Sequence, residues 1–427
     1  MEALVFWALV VFIVVLTVAL LVPACTNVWW MVHAWRSPEV NRAIAGSTAG
    51  RENRTSFSAL VPFRHESEDV VRNTVRRLLG QTHDDVQVVL AVGHDDLEAI
   101  AIADRLAAEF PGVVVSVDHS PVKNKPKQLN TALKSATKEH VAIFDAESLA
   151  HPDLFAHADA LLTKTRCEVL QYGVQLVNHR TAWFSLRNCL EYYFWFRSRL
   201  HLHAQHGFIP LGGNTLFLRR DLLEEFGGWD ETALTEDCDL GVRLSSHGVT
   251  VAVAYDPRLV TREETPDTLR SLIKQRSRWN QGFLQVLNKG DWRDLPTRRQ
   301  RLLARYTLLQ PYIQTLTLLA IPIGVAVALL GGLPLPVAMI SFLPLAPTLA
   351  TLLFEAAALR EFGRSLDLPV GPTDYLRLVL SAVPYQVVMG YAALRALVRE
   401  RRGNGDWEKT PHAGHHLVPA ATSGMAA

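Results

Sequence analysis

Cysteine is scarce in this chain: Cys25, Cys167, Cys189 and Cys238 are the only four, far apart and without a CxxC pair. That spacing supports neither a zinc site nor a disulfide framework, so reduced thiols in a cytosolic domain are the expectation. An excess of either charge is also lacking, since 43 Lys and Arg against 42 Asp and Glu leave a net charge of +1. Overall electrostatics therefore give no reason to expect a nucleic-acid partner. Internal repeats are absent. So is the basic start of a secretory signal, because the chain opens with Glu2 and no Lys or Arg. What the 427 residues do have is apolar surface, 49% hydrophobic beside 20% charged, with a mean hydropathy of +0.10.

The apolar residues concentrate in the first 35 residues and between about 303 and 398. Ala3 to Trp30 is interrupted only by Thr17, Thr26 and Asn27. That is enough for the ~20 residues a membrane-crossing helix needs, so an uncleaved transmembrane helix is predicted over 1–35. His33, Arg36, Arg42, Arg51 and Arg54 follow and put the next region on the cytoplasmic side. After Arg293, Arg298, Arg299, Arg301 and Arg305 come apolar stretches at about 306–330, 334–358 and 376–398, the last interrupted by Pro384. Four crossings from an outside N-terminus would leave the C-terminus outside, whereas Arg399, Arg401 and Arg402 argue for an inside end. One segment is then re-entrant or interfacial, with 376–398 and the proline-rich 333–347 as candidates.

Residues 55–265 read as a soluble α/β domain. Buried strands are predicted at Ser58–Val61, Val86–Ala91, Val113–Val117, His140–Phe144 and Val169–Leu176. Helices are predicted between them at Val70–Gly80, Leu97–Glu109 and Lys127–Ala136. Such alternation implies βαβ units and a mostly parallel sheet, whose ligands bind beyond the carboxyl ends of the strands. The stretch 183–206 mixes aromatics, arginines and histidines and reads as an amphipathic helix at the membrane interface, with its basic groups at headgroup level. An ordinary core helix with a solvated face is the competing reading. Residues 266–302 form the segment before the C-terminal membrane region (303–400), and 401–427 reads as a flexible tail. His412, His415 and His416 in that tail could bind a metal but fit a solvated tail better.

Three motifs carry chemistry. Asp145-Ala146-Glu147 follows the apolar run His140–Phe144, and alternating acids in an extended segment face one way, as a hard divalent cation requires. Thr235-Glu236-Asp237 opens a helical segment, with Thr235 positioned to cap it and a carboxylate available as general base. In Gln275-Arg276-Ser277-Arg278-Trp279, helical spacing puts Gln275, Arg278 and Trp279 on one face. An amide, a guanidinium and an indole together suit a sugar and a phosphate better than a core or a solvated face.

In this order the motifs resemble the inverting family 2 glycosyltransferases, specifically the processive membrane branch with cellulose, chitin and hyaluronan synthases. Val61-Pro62-Phe63-Arg64-His65-Glu66, Asp95 or Asp96 in VGHDD, Asn124 to Asn130, and Gly212-Gly213-Asn214 followed by Phe217 to Arg220 add to the likeness, which covers about 57–282. The resemblance implies a nucleotide-sugar-binding glycosyltransferase A-type domain with a mostly parallel sheet, flanked by transmembrane and interfacial helices. It implies that Glu66 and one of Asp95 and Asp96 border the nucleotide base, and that Lys125, Asp145 and Arg278 contact the nucleotide sugar. It further implies that Asp145 and Glu147 hold Mg²⁺ or Mn²⁺, and that Asp237 is the general base. Gly213, Asn214, Glu236, Gln275 and Trp279 would then line the acceptor. Inversion needs no protein nucleophile, so the lack of a Ser/His or Cys/His device is no objection.

The chain departs from that pattern in having DAE rather than DxD, two acids in VGHDD, and few membrane helices for a polymer channel unless a second copy or an accessory subunit completes it. The resemblance implies extension of a β-linked polysaccharide from a UDP-sugar at the cytoplasmic face of the plasma membrane. The sparse helices favour a single addition to a membrane lipid instead. A non-catalytic scaffold has no need of these carboxylates and QxxRW. Trp407-Glu408-Lys409-Thr410 is similar to the Thr/Lys loop that closes over the nucleotide in cellulose synthases, with a disordered tail as the alternative.

Overall fold

In the computed structural model, residues 2–36, 54–330 and 335–408 are described. Helix α1 (Glu2–Arg36) comes first. The short apolar runs then become β1 (Phe57–Pro62), β2 (Val86–Gly93), β3 (Val113–Asp118) and β4 (His140–Ile143). β1, β2 and β4 are apolar at successive positions because helices cover both faces of the sheet. Those helices are α2 (Glu68–Leu79), α3 (Leu97–Glu109), α4 (Lys125–Ser135) and α5 (Leu154–Thr165). α4 starts two residues earlier than the apolar pattern suggests. Asn124 caps it by accepting from the Lys127 N–H at 3.1 Å, and Pro126 occupies the first turn, where no N–H is needed.

The predicted strand Val169–Leu176 is two strands, β5 (Val169–Tyr172) and β6 (Val174–Leu176), split at Gly173. A Cβ at Gly173 would lie 2.7 Å from the Tyr255 ring, so the chain bends where only glycine fits. β7 (Leu216–Arg219), β8 (Val251–Ala254) and β9 (Thr261–Glu263) were not anticipated. The sheet order is β3-β2-β1-β4-β7-β5-β8, and β6 pairs with β9 in a separate parallel ribbon. The sheet is mostly parallel, as expected; β7 alone runs antiparallel to both its neighbours, β4 and β5. The ends of β1 and β4, the cap of α4 and the segment before β7 therefore meet at one edge.

Residues 185–205 form a continuous helical seam, α6 (Ser185–Phe194), one π turn and α7 (Leu200–Gln205). Its arginines turn inward rather than to a headgroup layer. Arg187 is 6% exposed and pairs with Glu355 at 3.1 Å, while Arg197 pairs with Glu361 at 2.8 Å. Both acids belong to a later helix, α14 (Leu345–Ser365), so the basic groups serve to dock the helices that follow the catalytic region.

Those helices run on from α8 (Arg220–Glu225) and α9 (Glu236–Ser246) to α10 (Leu269–Lys289), α11 (Arg298–Leu308) and α12 (Gln310–Leu330). Then come α13 (Leu335–Ser341), α14 (Leu345–Ser365), α15 (Pro372–Leu380) and α16 (Ala382–Arg401). Among the described residues, Phe6–Arg36 and Leu335–Ser365 are long and apolar enough to cross a membrane. α15 and α16 would make a third only as one broken span, bent by 47°. The bend falls at Ser381 rather than at Pro384, which sits in the first turn of α16, where a missing N–H costs no hydrogen bond. Arg42, Arg51 and the three tail histidines lie outside the described residues.

Candidate active site

Three chain segments bring acids and cations to the sheet edge. Asp145 and Glu147 leave the end of β4, Lys125 stands in the first turn of α4, and Arg278 reaches in from α10. With Glu66 beyond β1, these five side chains line one cleft. Arg64, Lys123, Asn124 and Gln128 line it too, with no role of their own in the sequence, and so does Trp407 of the segment expected to close over the nucleotide, whose Lys409 and Thr410 lie outside the described residues. The signal for Asn124 was present, as a capping residue before Lys-Pro at a helix start. Cleft access for Arg64 and Lys123 depends on folding: Arg64 lies beyond β1, and Lys123 donates to the Asp118 carbonyl beyond β3 at 2.7 Å.

Lys125 is the hub. Its ammonium ion-pairs with Asp145 and donates to the Gly213 carbonyl at 2.9 Å. Burial works against its charge, but Asp145, Glu236 and Asp237 outweigh burial and hold its pKa above the ordinary value. Gly213 is a glycine for a steric reason, since a Cβ there would stand 3.1 Å from Asp237 Oδ2 and 3.4 Å from Lys125 Nζ. Burial and their mutual repulsion push Glu236 up to about 7, and burial raises Asp237 as well. Lys125 and Arg278 oppose both shifts, so the acids and cations form one electrostatic unit.

Asn214 is buried and donates to Ser148 Oγ at 2.8 Å and to Glu263. Glu263, invisible to motif reasoning, lies close enough to Asp145 and Glu147 that burial and their charges drive its pKa well upward. A hard cation would relieve that crowding. No group of three or more His, Cys, Asp or Glu side chains forms a metal site among the described residues. Asp145 and Glu147 do fit Mg²⁺ or Mn²⁺ that completes its shell with diphosphate oxygens and water, the usual arrangement for Mg²⁺.

The QRSRW face is only partly shared. Arg278 enters the cleft, donates to the Glu408 carbonyl at 3.1 Å and stacks 5.2 Å over the Trp407 ring. Gln275 is 6% exposed, and its Oε1 finds no donor among the described residues. Trp279 lies 6.2 Å from the Tyr192 ring, under the Arg276 guanidinium. Thr235 does not cap α9; its buried hydroxyl has no partner among the described residues and presses on Gly282, where a Cβ would come within 2.2 Å.

Neither acid of VGHDD lines the cleft. Asp96 is 5% exposed, caps α3 by accepting from the Ala99 N–H at 3.0 Å, and accepts from the His65 N–H at 2.9 Å. Asp95 pairs with Arg64 through two 2.9 Å hydrogen bonds, and so reaches the cleft through that arginine.

Comparison with known proteins gives this geometry a context. The family model described as glycosyltransferase like family 2 matches residues 54–282. A beta-monoglucosyldiacylglycerol synthase of Trichormus variabilis is 27% identical over 53% of this chain and 49% of its own length. The chain thus spans about half the length of that relative. A poly-beta-1,6-N-acetyl-D-glucosamine synthase of Staphylococcus epidermidis is 23% identical over 69% of this chain and 71% of its own. Among solved structures, a mannosyltransferase of Pyrobaculum calidifontis in complex with GDP-Man and Mn²⁺ superposes with a TM-score of 0.54 at 18% identity, covering 91% of this chain and 99% of that one. At that identity the likeness is one of fold.

Proposed function

The chain belongs to the glycosyltransferase like family 2, as a glycosyltransferase of the A-type α/β fold, and on that premise we propose that it transfers a sugar with inversion from a nucleoside diphosphate, UDP in the first instance, to a growing β-linked polysaccharide. The observation that carries this reading is the convergence of Lys125, Asp145, Glu147 and Arg278 on one cleft, with Asp237 next to Lys125 across Gly213.

The mechanism follows from the charges. Asp237 accepts the proton of the acceptor hydroxyl as its oxygen bonds to the anomeric carbon. The bond from that carbon to the diphosphate oxygen breaks on the opposite face, and the electron pair leaves with the diphosphate. Lys125 and Arg278 stabilise the charge that develops there. Asp145 and Glu147 would hold a divalent cation, which would supply Lewis-acid stabilisation of the diphosphate when bound. Gln275, whose Oε1 meets no donor among the described residues, and Trp279 hold the acceptor end, alongside Gly213, Asn214 and Glu236. Glu66, and Asp95 through Arg64, border the base, while Asp96 keeps the loop after β1 in position.

The docking of the helices supports the membrane reading. α11 and the buried end of α14 (Ala358, Leu359, Phe362) both adjoin the catalytic body, so an even number of crossings separates them. α13 with α14 supplies one, and α12, at 21 residues or ~30 Å, is long enough for the other. α16 packs along α10, with its Arg399 donating to Gln281 at 2.9 Å, so α15 and α16 stay on the catalytic side. With α1, three crossings bring both the catalytic region and Arg399–Arg402 to the cytoplasmic face of the plasma membrane. On this scheme the flanking parts are the membrane helix 1–35, the catalytic domain 55–265, the QxxRW region 266–302, the membrane region 303–400 and the tail 401–427.

A second reading, single addition to a membrane lipid, is favoured by the small number of apolar helices, too few to form a channel without another copy or subunit. Product size after incubation of the purified protein with labelled UDP- and GDP-sugars, Mn²⁺ and membrane lipid tests the choice. A ladder or high polymer is expected; a single glycolipid replaces the polymer reading with the lipid one, and no transfer from any donor overturns both.

A further inference from the structure

A second concavity, about 520 Å³, lies between α10 and α16, beside the donor cleft and divided from it at Trp407 and Glu408. Its walls divide by chemistry in a regular way. On α10, Leu269 and Ile273 are one helical turn apart and present apolar surface, while Arg270 and Lys274, also one turn apart, present cations. On α16, Tyr391 is followed one turn later by Arg395.

The cations are not equally occupied. Arg395 is taken by Glu408 through two hydrogen bonds of 2.7 and 2.8 Å, which hold the Glu408 carboxylate below its usual range. Arg270 and Lys274 make no hydrogen bond or ion pair with any described residue, and Glu408 is the one acid among the lining residues. Three cations against one carboxylate leave the groove strongly positive.

Its approach is apolar. Val383, Val387 and Tyr391 recur every four residues along α16 and are 63%, 39% and 51% exposed, and Val379, before the bend at Ser381, is 52% exposed. The stripe on α16 leads to Arg395 one turn beyond Tyr391. Apolar residues leading through a tyrosine to a cluster of cations match a phospholipid from acyl chain to headgroup, with the aromatic ring at the boundary. We propose that this groove binds one anionic phospholipid, its phosphate between Arg270 and Lys274 and its acyl chain along Val387 and Val383. The inference rests on the membrane reading above and not on the donor chemistry.

The test uses the full-length protein in a neutral detergent, titrated with short-chain phosphatidylglycerol and followed by native mass spectrometry. Phosphatidylcholine of the same chain length and glycerol 3-phosphate serve as comparisons. Phosphatidylglycerol is expected to bind roughly tenfold more tightly than either. The double variant Arg270→Gln/Lys274→Gln should lose roughly tenfold of that affinity, since each basic side chain near an anionic headgroup counts for several-fold. Arg401→Gln/Arg402→Gln, outside the groove, should bind as the parent does.

Equal binding of phosphatidylcholine, equal binding of glycerol 3-phosphate, or unchanged affinity in the double variant each overturns the proposal. The first and last would also be the result if a second copy, or the chain beyond Glu408, covered the groove. UDP binding measured in the same preparation separates the two readings. Lost lipid selectivity with intact UDP binding defeats this inference alone, and the reverse defeats the donor cleft alone.

Discussion

The helical seam and the donor cleft both bury charge, and they treat it in opposite ways. Along the seam three guanidiniums each meet a carboxylate: Arg187 with Glu355, Arg197 with Glu361, and Arg276 of α10 with the seam's Glu191, which also accepts from the Tyr385 hydroxyl at 2.8 Å. At the cleft, Lys125 and Arg278 share Asp145, Glu236 and Asp237, so these charges do not resolve into separate pairs. Paired charge fixes one helix against another. Shared charge, held in place by the surrounding fold, is left to act on a ligand and to move protons. Arg276 and Arg278, two residues apart on α10, fall on either side of that division.

The comparison breaks most readily at Asp237. Asp237→Asn should reduce turnover by roughly 10³-fold while leaving nucleotide affinity within about twofold, because only proton acceptance is lost. Single-turnover rates and UDP titration separate the two effects; wild-type turnover would remove the assigned base. Arg278→Ala should cost about 10²-fold in kcat/KM with little change in Tm. Arg276→Ala should do the reverse, lowering stability by about 2 kcal/mol through loss of a charged hydrogen bond, with near-normal turnover in the folded fraction. Equal outcomes for the two arginines would erase the distinction drawn between seam and cleft.

The pH dependence sharpens the same contrast. Burial raises both acids of the Glu236–Asp237 pair, Glu236 to about 7, and a base works only when deprotonated. Transfer should therefore be fully present above the raised range of Asp237 and fall as pH drops through it, approaching tenfold per unit. A profile that falls only where an unshifted aspartate titrates, near about 4, would contradict the raised base. The smallest effect is expected at Thr235, whose hydroxyl is buried against Gly282 without a partner among the described residues. Thr235→Val should hold or raise stability by up to about 1 kcal/mol in a denaturant titration; a large loss would mean that the hydroxyl has a partner after all.

Much of this was legible in the linear chain. The run Val86–Gly93 is apolar at consecutive positions and β2 is buried throughout its second half; Leu97–Glu109 carries a clear helical period and α3 has those bounds. Asp145, Glu147, Lys125 and Arg278 were each suggested by a local motif, and all line the cleft. β7 was not legible, because four residues paired antiparallel between β4 and β5 carry no pattern of their own. The inward turn of the 183–206 arginines was hidden as well, since their partners Glu355 and Glu361 lie more than 160 positions away. Glu263 escaped for the same reason: it follows no motif, and its neighbours come from β4 and the Gly213-Asn214 turn.

What the sequence determined by itself was therefore local: where strands and helices form, where acids and cations leave them, and which helices are apolar enough for a bilayer. Hydrophobic period, capping residues and turn glycines act within a few positions, so they can be read in a line of residues. The tertiary structure decided which charges are neutralised. Arg276 and Arg278 are chemically alike and two residues apart, yet one meets Glu191 and the other the cleft carboxylates. A charge senses whatever the fold brings within a few ångströms, over a sequence distance no local pattern records.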